Sequence, residues 1–278
     1  MSGVNLRYVA SSGRSYNLRG DTLRTRRKAN FHSWKWSVNG VDLQYGMRVS
    51  GFSRAGQTYE MTLTLFGSER QKEALIKALH DDFELDVRNK TPGRIIWGDY
   101  YVECFVVASS LTPNDENIST DNVVSFYCPY PFWIKEETRS FYPQTTSSVT
   151  ESYLDYPHDY AYDYYSGGSG MVIWQTDFPF SSDFRMVMYG PASNPRVLIN
   201  DHIYQILDTL TASEHVIIDS KLGTIVKMQA DGTRVNAFDL RNKEESIFEK
   251  VPAGTLTLVW SGAFGFDLTL YEERSEPR

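Results

Sequence analysis

Cysteine is scarce in this sequence, with only Cys104 and Cys128 among 278 residues. Neither belongs to a Cys-x-x-Cys pair and no histidine is near either, so the spacing offers no zinc site. Both fall in strand-like segments, where a free cysteine acts as a small buried apolar residue, and a reducing cytosolic assembly environment is the simplest setting. Long apolar runs are missing too. No stretch approaches the roughly 18 residues that read as a membrane span, and Met1-Ser-Gly-Val-Asn-Leu-Arg7 lacks the apolar core of a signal peptide, so a soluble chain without membrane insertion is expected. Positive charge is in deficit: Lys plus Arg total 28 against 35 for Asp plus Glu, a net charge of -7. A duplex nucleic-acid binder usually needs a basic surface to release counterions from phosphate, which disfavours that class. The one basic run, Arg24, Arg26, Arg27 and Lys28, is expected to form a solvated loop or a subunit contact.

Recognisable catalytic motifs are equally sparse. The five histidines, at positions 32, 80, 158, 202 and 215, are scattered. There is no His-Glu-x-x-His, no phosphate-binding Gly-x-x-x-x-Gly-Lys-Ser/Thr and no dinucleotide-binding Gly-x-Gly-x-x-Gly. Gly167-Gly-Ser169-Gly170-Met171 misses the nucleophile elbow because Met171 occupies the place of its second glycine. A carboxylate pair such as Glu103 with Asp86 carries little weight, since an acidic β-rich chain offers dozens of such pairs. Calcium loops of the Asp-x-Asp-x-Asp-Gly kind are absent. Arg19-Gly20-Asp21 and Asn117-Ile-Ser119 spell an adhesion tripeptide and a glycosylation acceptor, matches that arise readily by chance. The expectation is a non-enzyme, with no catalytic residue, no cofactor and no metal.

What the sequence does have is apolar and aromatic surface. Hydrophobic residues make up 41% and charged residues 23%, enough for a packed core in one large domain or two ordinary ones. Aromatics reach 14%, including 18 Tyr and 6 Trp, which suits pleated faces and subunit contacts. Trp34–Val38 and Val41–Tyr45 alternate around Asn39-Gly40, which predicts a hairpin with a type I′ turn. Tyr59, Met61, Leu63 and Leu65 alternate with polar residues as in a half-buried strand. Ser68 with Gln71 has capping-box spacing, and Leu75, Ala78, Leu79 and Phe83 share one helical face. A helix is therefore predicted over Ser68–Phe83, ending unfavourably for its dipole at Asp81 and Asp82. Tyr100–Ser110 and Val123–Tyr127 read as strands around a polar loop at 112–122. Pro129 and Pro131 then end the ladder, which puts a domain boundary near Trp133.

Gln144–Gly170 changes character. Tyr153, Tyr156, Tyr160, Tyr162, Tyr164 and Tyr165 alternate with aspartates before Gly167-Gly-Ser-Gly170. This segment reads as a loop or linker, or as a Tyr-rich contact surface. From Phe184 onward the turns come quickly. Tyr189-Gly190-Pro191, Asn194-Pro195, Asp201-His202, Ser220–Gly223 and Asp231-Gly232 separate short alternating segments, including Arg196–Asn200, Ile203–Leu207, Val216–Asp219, Thr224–Met228, Thr255–Trp260 and Phe266–Tyr271. Strands at this spacing indicate an antiparallel sandwich.

Taken in order, these features resemble a known family. The N-terminal hairpin, strand and helix are followed by Val123-Val-Ser-Phe-Tyr-Cys128, Pro131-Phe132-Trp133 and Tyr156-Pro157. Then come Tyr189-Gly190-Pro191, Asn194-Pro195, Ile218-Asp219-Ser220, Ile247–Gly254, Trp260-Ser261-Gly262 and Tyr271–Pro277. The series is similar to the distal tail proteins of long, flexible-tailed bacteriophages and related prophages, most specifically from Tyr189 onward. The resemblance implies a tail-tube-like N-terminal β-sandwich with one helix over residues 1–133, closing into a homo-hexameric ring. It also implies a galectin-like sandwich over 134–278, with the Tyr/Asp-rich segment at 144–170. Such a ring would sit at the tail tip of a virion assembled in the host cytoplasm. It would join the tail tube protein to the tail-tip hub protein and to receptor-binding proteins, and continue a channel through which DNA passes without specific binding.

The residues expected at interfaces are Trp34, Trp36 and Tyr45 of the hairpin and Tyr156, Tyr160 and Tyr162 of the Tyr-rich segment. The hairpin is the natural ring contact, because exposed strand edges seek partners and ring closure requires heterologous contacts. The competing reading is a carbohydrate-binding module for host attachment, since sandwiches with exposed Tyr and Trp commonly hold sugars, though fold alone does not carry function. Glycan binding by segment 134–278 would favour it. A wall hydrolase ranks last, because no nucleophile, metal or acid–base set can be named.

Overall fold

The computed structural model describes residues 5–27, 30–113, 119–144 and 170–278. They form two compact units, one of Met1–Lys135 with Glu273–Arg278, the other of Glu136–Glu272. Among the described residues the chain is mainly β with one α-helix.

The first unit opens with β1 (Leu6–Val9), β2 (Ser15–Asn17) and β3 (Leu23–Arg27), followed by β4 (Ser37–Asp42), β5 (Met47–Ser53) and β6 (Gln57–Phe66). Helix α1 (Glu69–Asn89) precedes β7 (Gly93–Trp97), β8 (Tyr100–Pro113), β9 (Ser119–Cys128) and the start of β10 (Trp133–Phe141). All pairings are antiparallel, and β8 joins three neighbours, Tyr101 opposing Ile134 of β10. The first residues of β8 pair with β7, which pairs in turn with β1, while Phe105 onward pairs with β9, whose other neighbour is β6. Alternation decides which side is buried: Tyr59, Met61, Leu63 and Leu65 of β6 face the core, together with Val124 and Phe126 of β9. Tyr8, Ile95, Val102, Cys104, Cys128 and Trp133 complete one cluster with Leu79 and Phe83 of the helix. The two cysteines are buried free thiols, as their strand positions predict.

Four expectations are corrected here. The Asn39-Gly40 turn does not form. Both residues lie inside β4, at a register shift where Gly40 opposes Val49. A Cβ on Gly40 would meet the Arg48 carbonyl oxygen at 2.5 Å, so this glycine serves a close backbone approach rather than a turn. The reversal comes at Leu43–Gly46, where Gly46 has a φ of 87° and the Leu43 N–H donates to the Gly46 carbonyl at 2.9 Å. Helix α1 does begin after Ser68, whose N–H donates to the Gln71 side-chain oxygen at 3.0 Å, but it runs on to Asn89 and exits through Lys90 at a left-handed φ of 53°. Asp81 and Asp82 are therefore mid-helix, away from the negative pole. The described ends of the polar segment at 112–122 are strand rather than loop, with Leu111, Thr112 and Pro113 opposing Asn122, Asp121 and Thr120. The basic run is not a loop: Leu23–Arg27 is a strand on the outer side of β6, with a bulge between Thr25 and Arg27.

The second unit continues with β11 (Gly170–Gln175), β12 (Asp183–Tyr189), β13 (Ala192–Ser193), β14 (Arg196–Ile199), β15 (His202–Gln205) and β16 (Thr209–Leu210). It ends with β17 (His215–Asp219), β18 (Thr224–Met228), β19 (Arg234–Asn236), β20 (Thr255–Trp260) and β21 (Phe266–Arg274). One antiparallel sheet runs β19-β18-β17-β12-β21 and another β11-β20-β14-β15. Inward residues alternate along each strand. Phe184, Met186, Met188, Val216, Ile218, Phe266, Leu268 and Leu270 of the first sheet share a core with Val197, Ile199, Tyr204, Leu256, Leu258 and Trp260 of the second. This is the antiparallel sandwich the turn spacing predicts. The β14–β15 reversal uses Asn200 and Asp201, both at positive φ, one residue earlier than expected.

Candidate assembly interface

Among the described residues, strands β4 and β5 pair only with each other, forming a two-stranded ribbon about 20 Å long by strand rise. Its directly opposed pairs include Val38 with Phe52 and Asp42 with Met47, on the same face as Gly40 and Val49. Asn39, Val41, Arg48, Gly51 and Ser53 occupy the other face, where the Asn39 side chain donates to the Ser53 hydroxyl at 3.1 Å. The apolar side chains remain open: Val41 is 65% exposed, Phe52 62% and Tyr45, at the tip, 88%. Val38, Leu43, Met47 and Val49 are exposed as well. An isolated hairpin of this size is marginal in water, and contiguous apolar surface with two open ladder edges marks an interaction site.

The ribbon's foot is better anchored. Trp34 and Trp36 precede β4 instead of lying in the ladder, so strand alternation does not set their faces. Trp36 packs against Phe132 with ring centroids 5.8 Å apart, and Phe132 against Tyr130 at 4.9 Å. The Arg54 guanidinium, just beyond β5, lies 4.9 Å from the Phe132 centroid and 6.0 Å from that of Trp36. Its Nη2 donates to the Gln57 side-chain oxygen at 3.1 Å and to the Ser275 carbonyl at 3.4 Å. Nε and Nη1 are buried without a hydrogen-bond partner among the described residues, held against aromatic faces instead, and burial lowers the Arg54 pKa from its usual range. Residues 273–276 close over the same foot. The Tyr130 hydroxyl donates to Glu273 at 2.6 Å, and the His32 ring lies 3.5 Å from the Glu276 carboxylate. A shallow cleft of about 390 Å³ opens beside it between Trp34, Lys35, Arg54 and Gln57.

The structure thus separates the predicted hairpin residues. Trp34 (51% exposed) and Trp36 (37%) are at the foot and Tyr45 is at the tip. Tyr156, Tyr160 and Tyr162 lie outside the described residues. Sequence reasoning missed Met47, Val49 and Phe52 because it began the second strand at Val41, six residues before β5 starts; Val38 lay in the predicted first strand but was not singled out. The signal was the alternation in Met47-Arg-Val-Ser, broken at Gly51 by the bulge. Among the described residues, no group of three or more His, Cys, Asp or Glu is placed to hold a metal, and no helix is long and apolar enough to cross a membrane.

No family model and no curated protein matches the sequence. Solved structures do. The Dit protein of phage SPP1, described as a paradigm of the hub adsorption apparatus in phages infecting Gram-positive bacteria, superposes with a TM-score of 0.61 at 9% identity, over 97% of this chain and 99% of that one. The chain has the Dit fold. A chain of the phage P2 baseplate in its activated conformation with Ca gives a TM-score of 0.64 at 13% identity, over 99% of this chain and all of that one. The same baseplate with Sr gives 0.63 at 12% identity. The Dit fold is therefore shared across both units of the chain, at identities far too low for single motifs to have shown it.

Proposed function

We propose that this chain is a structural distal tail subunit, a baseplate hub protein of a phage or phage-like tail. The observation that carries the reading is the exposed apolar ribbon β4–β5, borne by a chain whose whole length follows the Dit fold. In this reading six copies close into a ring through heterologous contacts, with each ribbon laid on the neighbouring copy so that its apolar faces and open edges are covered. The first unit forms the ring, stacks on the tail tube and continues its channel. The net charge of -7 suits a lumen that must pass DNA without retaining it. The second unit, a galectin-like sandwich, faces outward and offers docking surface to the tail-tip hub and receptor-binding proteins. The role is structural rather than catalytic, and the protein's place is the virion tail tip.

Size-exclusion chromatography with light scattering, followed by negative-stain imaging, tests the reading. A six-fold ring with a central hole is expected. A chain that stays monomeric at every concentration and never associates with tail-tube or tip partners would overturn it. Trp34→Ala combined with Trp36→Ala loosens the ribbon's foot and should lower the oligomer mass; an unchanged mass would remove the foot from the ring contact.

A further inference from the structure

Strands β8 and β9 run antiparallel with Val106 opposite Phe126 and Phe105 opposite Tyr127. One further step along that ladder sets Cys104 opposite Cys128. Each is independently fixed by its other neighbour, Cys104 by Gly93 on β7 and Cys128 by Gln57 on β6. Opposed residues of antiparallel strands point to the same face with Cβ atoms about 4.5–5.5 Å apart, and both cysteines are fully buried in one core. A disulfide needs Cβ atoms about 3.5–4.5 Å apart, so bond closure asks for an approach of roughly one ångström. The β-bulge between Val106 and Ala108 adds local twist beside the pair. Burial, and then the Cys128 thiol beside it, pushes the Cys104 thiol well above the usual range, which keeps the pair inert while the sheet is closed.

We propose that Cys104 and Cys128 are a latent cross-strand disulfide, reduced while the protein is made and joined when the chain meets a small-molecule disulfide oxidant. The bond forms in two exchanges. During a transient opening of the ladder, one cysteine thiolate attacks a sulfur of the oxidant and expels one reagent thiolate. The other cysteine then attacks the protein sulfur of the mixed disulfide and expels the second. The protein gives up two electrons and two protons, the reagent leaves as two thiols, and one Sγ–Sγ bond replaces two S–H bonds. The pairing follows from strand register and does not depend on the tail-subunit reading.

The test incubates the full chain with oxidised glutathione in urea below its unfolding midpoint, then denatures, alkylates and weighs it. The expected product is lighter than the reduced chain by two hydrogens, takes up no alkyl group and yields a digest peptide joining positions 104 and 128. It should also melt higher than the same sample after reduction, by roughly 5 °C. Two alkyl groups, glutathione retained on separate cysteines, or a disulfide-linked dimer would each overturn the proposal. Cys128→Ala should hold one glutathione and lose the redox-dependent shift. If that variant does not fold, the mass of the parent chain still decides.

Discussion

At the scale of single residues, the two buried aspartates of helix α1, Asp82 and Asp86, hold the fold more firmly than their charge suggests. Asp86 is fully buried and accepts from the Tyr8 hydroxyl, the Ser11 hydroxyl and, at 3.0 Å, the Ser11 N–H. One turn earlier, Asp82 accepts from the Tyr16 hydroxyl and, at 3.0 Å, from Ser12, with Arg14 3.4 Å away. The pair fastens the helix to the β1–β2 hairpin. Asp86→Ala strands those donors and opens a void, so a loss of about 3 kcal/mol is expected in urea unfolding. The tyrosines respond to alkali. Burial, and then the bond to Asp82, pushes the Tyr16 pKa up to about 12; burial and Asp86 raise Tyr8 further. An unfolded tyrosine ionises near pH 10, so the unfolded chain loses these protons first. The stability they contribute is whole below about pH 10 and falls as pH rises through the folded values. The urea midpoint should therefore drop between about pH 10 and 12, while ultraviolet difference absorbance shows a protonated Tyr fraction persisting in the folded chain.

At the scale of elements, the proposed ring contact predicts a ribbon dispensable to the subunit and necessary to the oligomer. Val38→Asn with Phe52→Asn changes two exposed residues on one face, so monomer stability should move by no more than about 0.5 kcal/mol while the oligomer mass falls. Equal mass would show that this face is not covered in the assembly. The same ribbon marks where sequence patterning works and where it stops. Helix α1 and the β17–β18 hairpin were legible because an apolar period and a cap or turn coincide in each. The ribbon's register was not. Asn39-Gly40 carries strong turn chemistry, yet a two-sided exposed strand gives no buried face to fix register, and the bulge absorbs the glycine. Strands β1, β2 and β7 were missed because they are short, at four, three and five residues, too few for an alternating pattern to stand out. Asp81 and Asp82 were read as an awkward acidic helix end, and the anchoring roles of Asp82 and Asp86 were not legible because their tyrosine partners lie some seventy residues upstream.

At the scale of the molecule, each unit carries its own core. The second unit's cluster lies wholly within Phe141–Leu270, so a fragment spanning 136–272 should fold alone. Near-UV circular dichroism with a single cooperative melt is the expected signature, and a featureless spectrum would show that the core needs the rest of the chain. The residues expected to divide the domains near Trp133 do not separate the units in so simple a way, because 273–278 return to the first.

That return has a consequence for biosynthesis. A ribosome must translate all of Glu136–Glu272 after the ribbon has emerged and before the residues that close over its foot exist. At bacterial elongation rates the interval is on the order of ten seconds. Throughout it, Arg54 lacks the Ser275 carbonyl, and Tyr130 and His32 lack Glu273 and Glu276. A nascent chain, or one truncated by a nonsense codon, would carry a ribbon with an unfinished base. In the proposed ring, translation order would then act as a form of proofreading, with only copies read through residue 276 presenting a fully set ribbon to a neighbour.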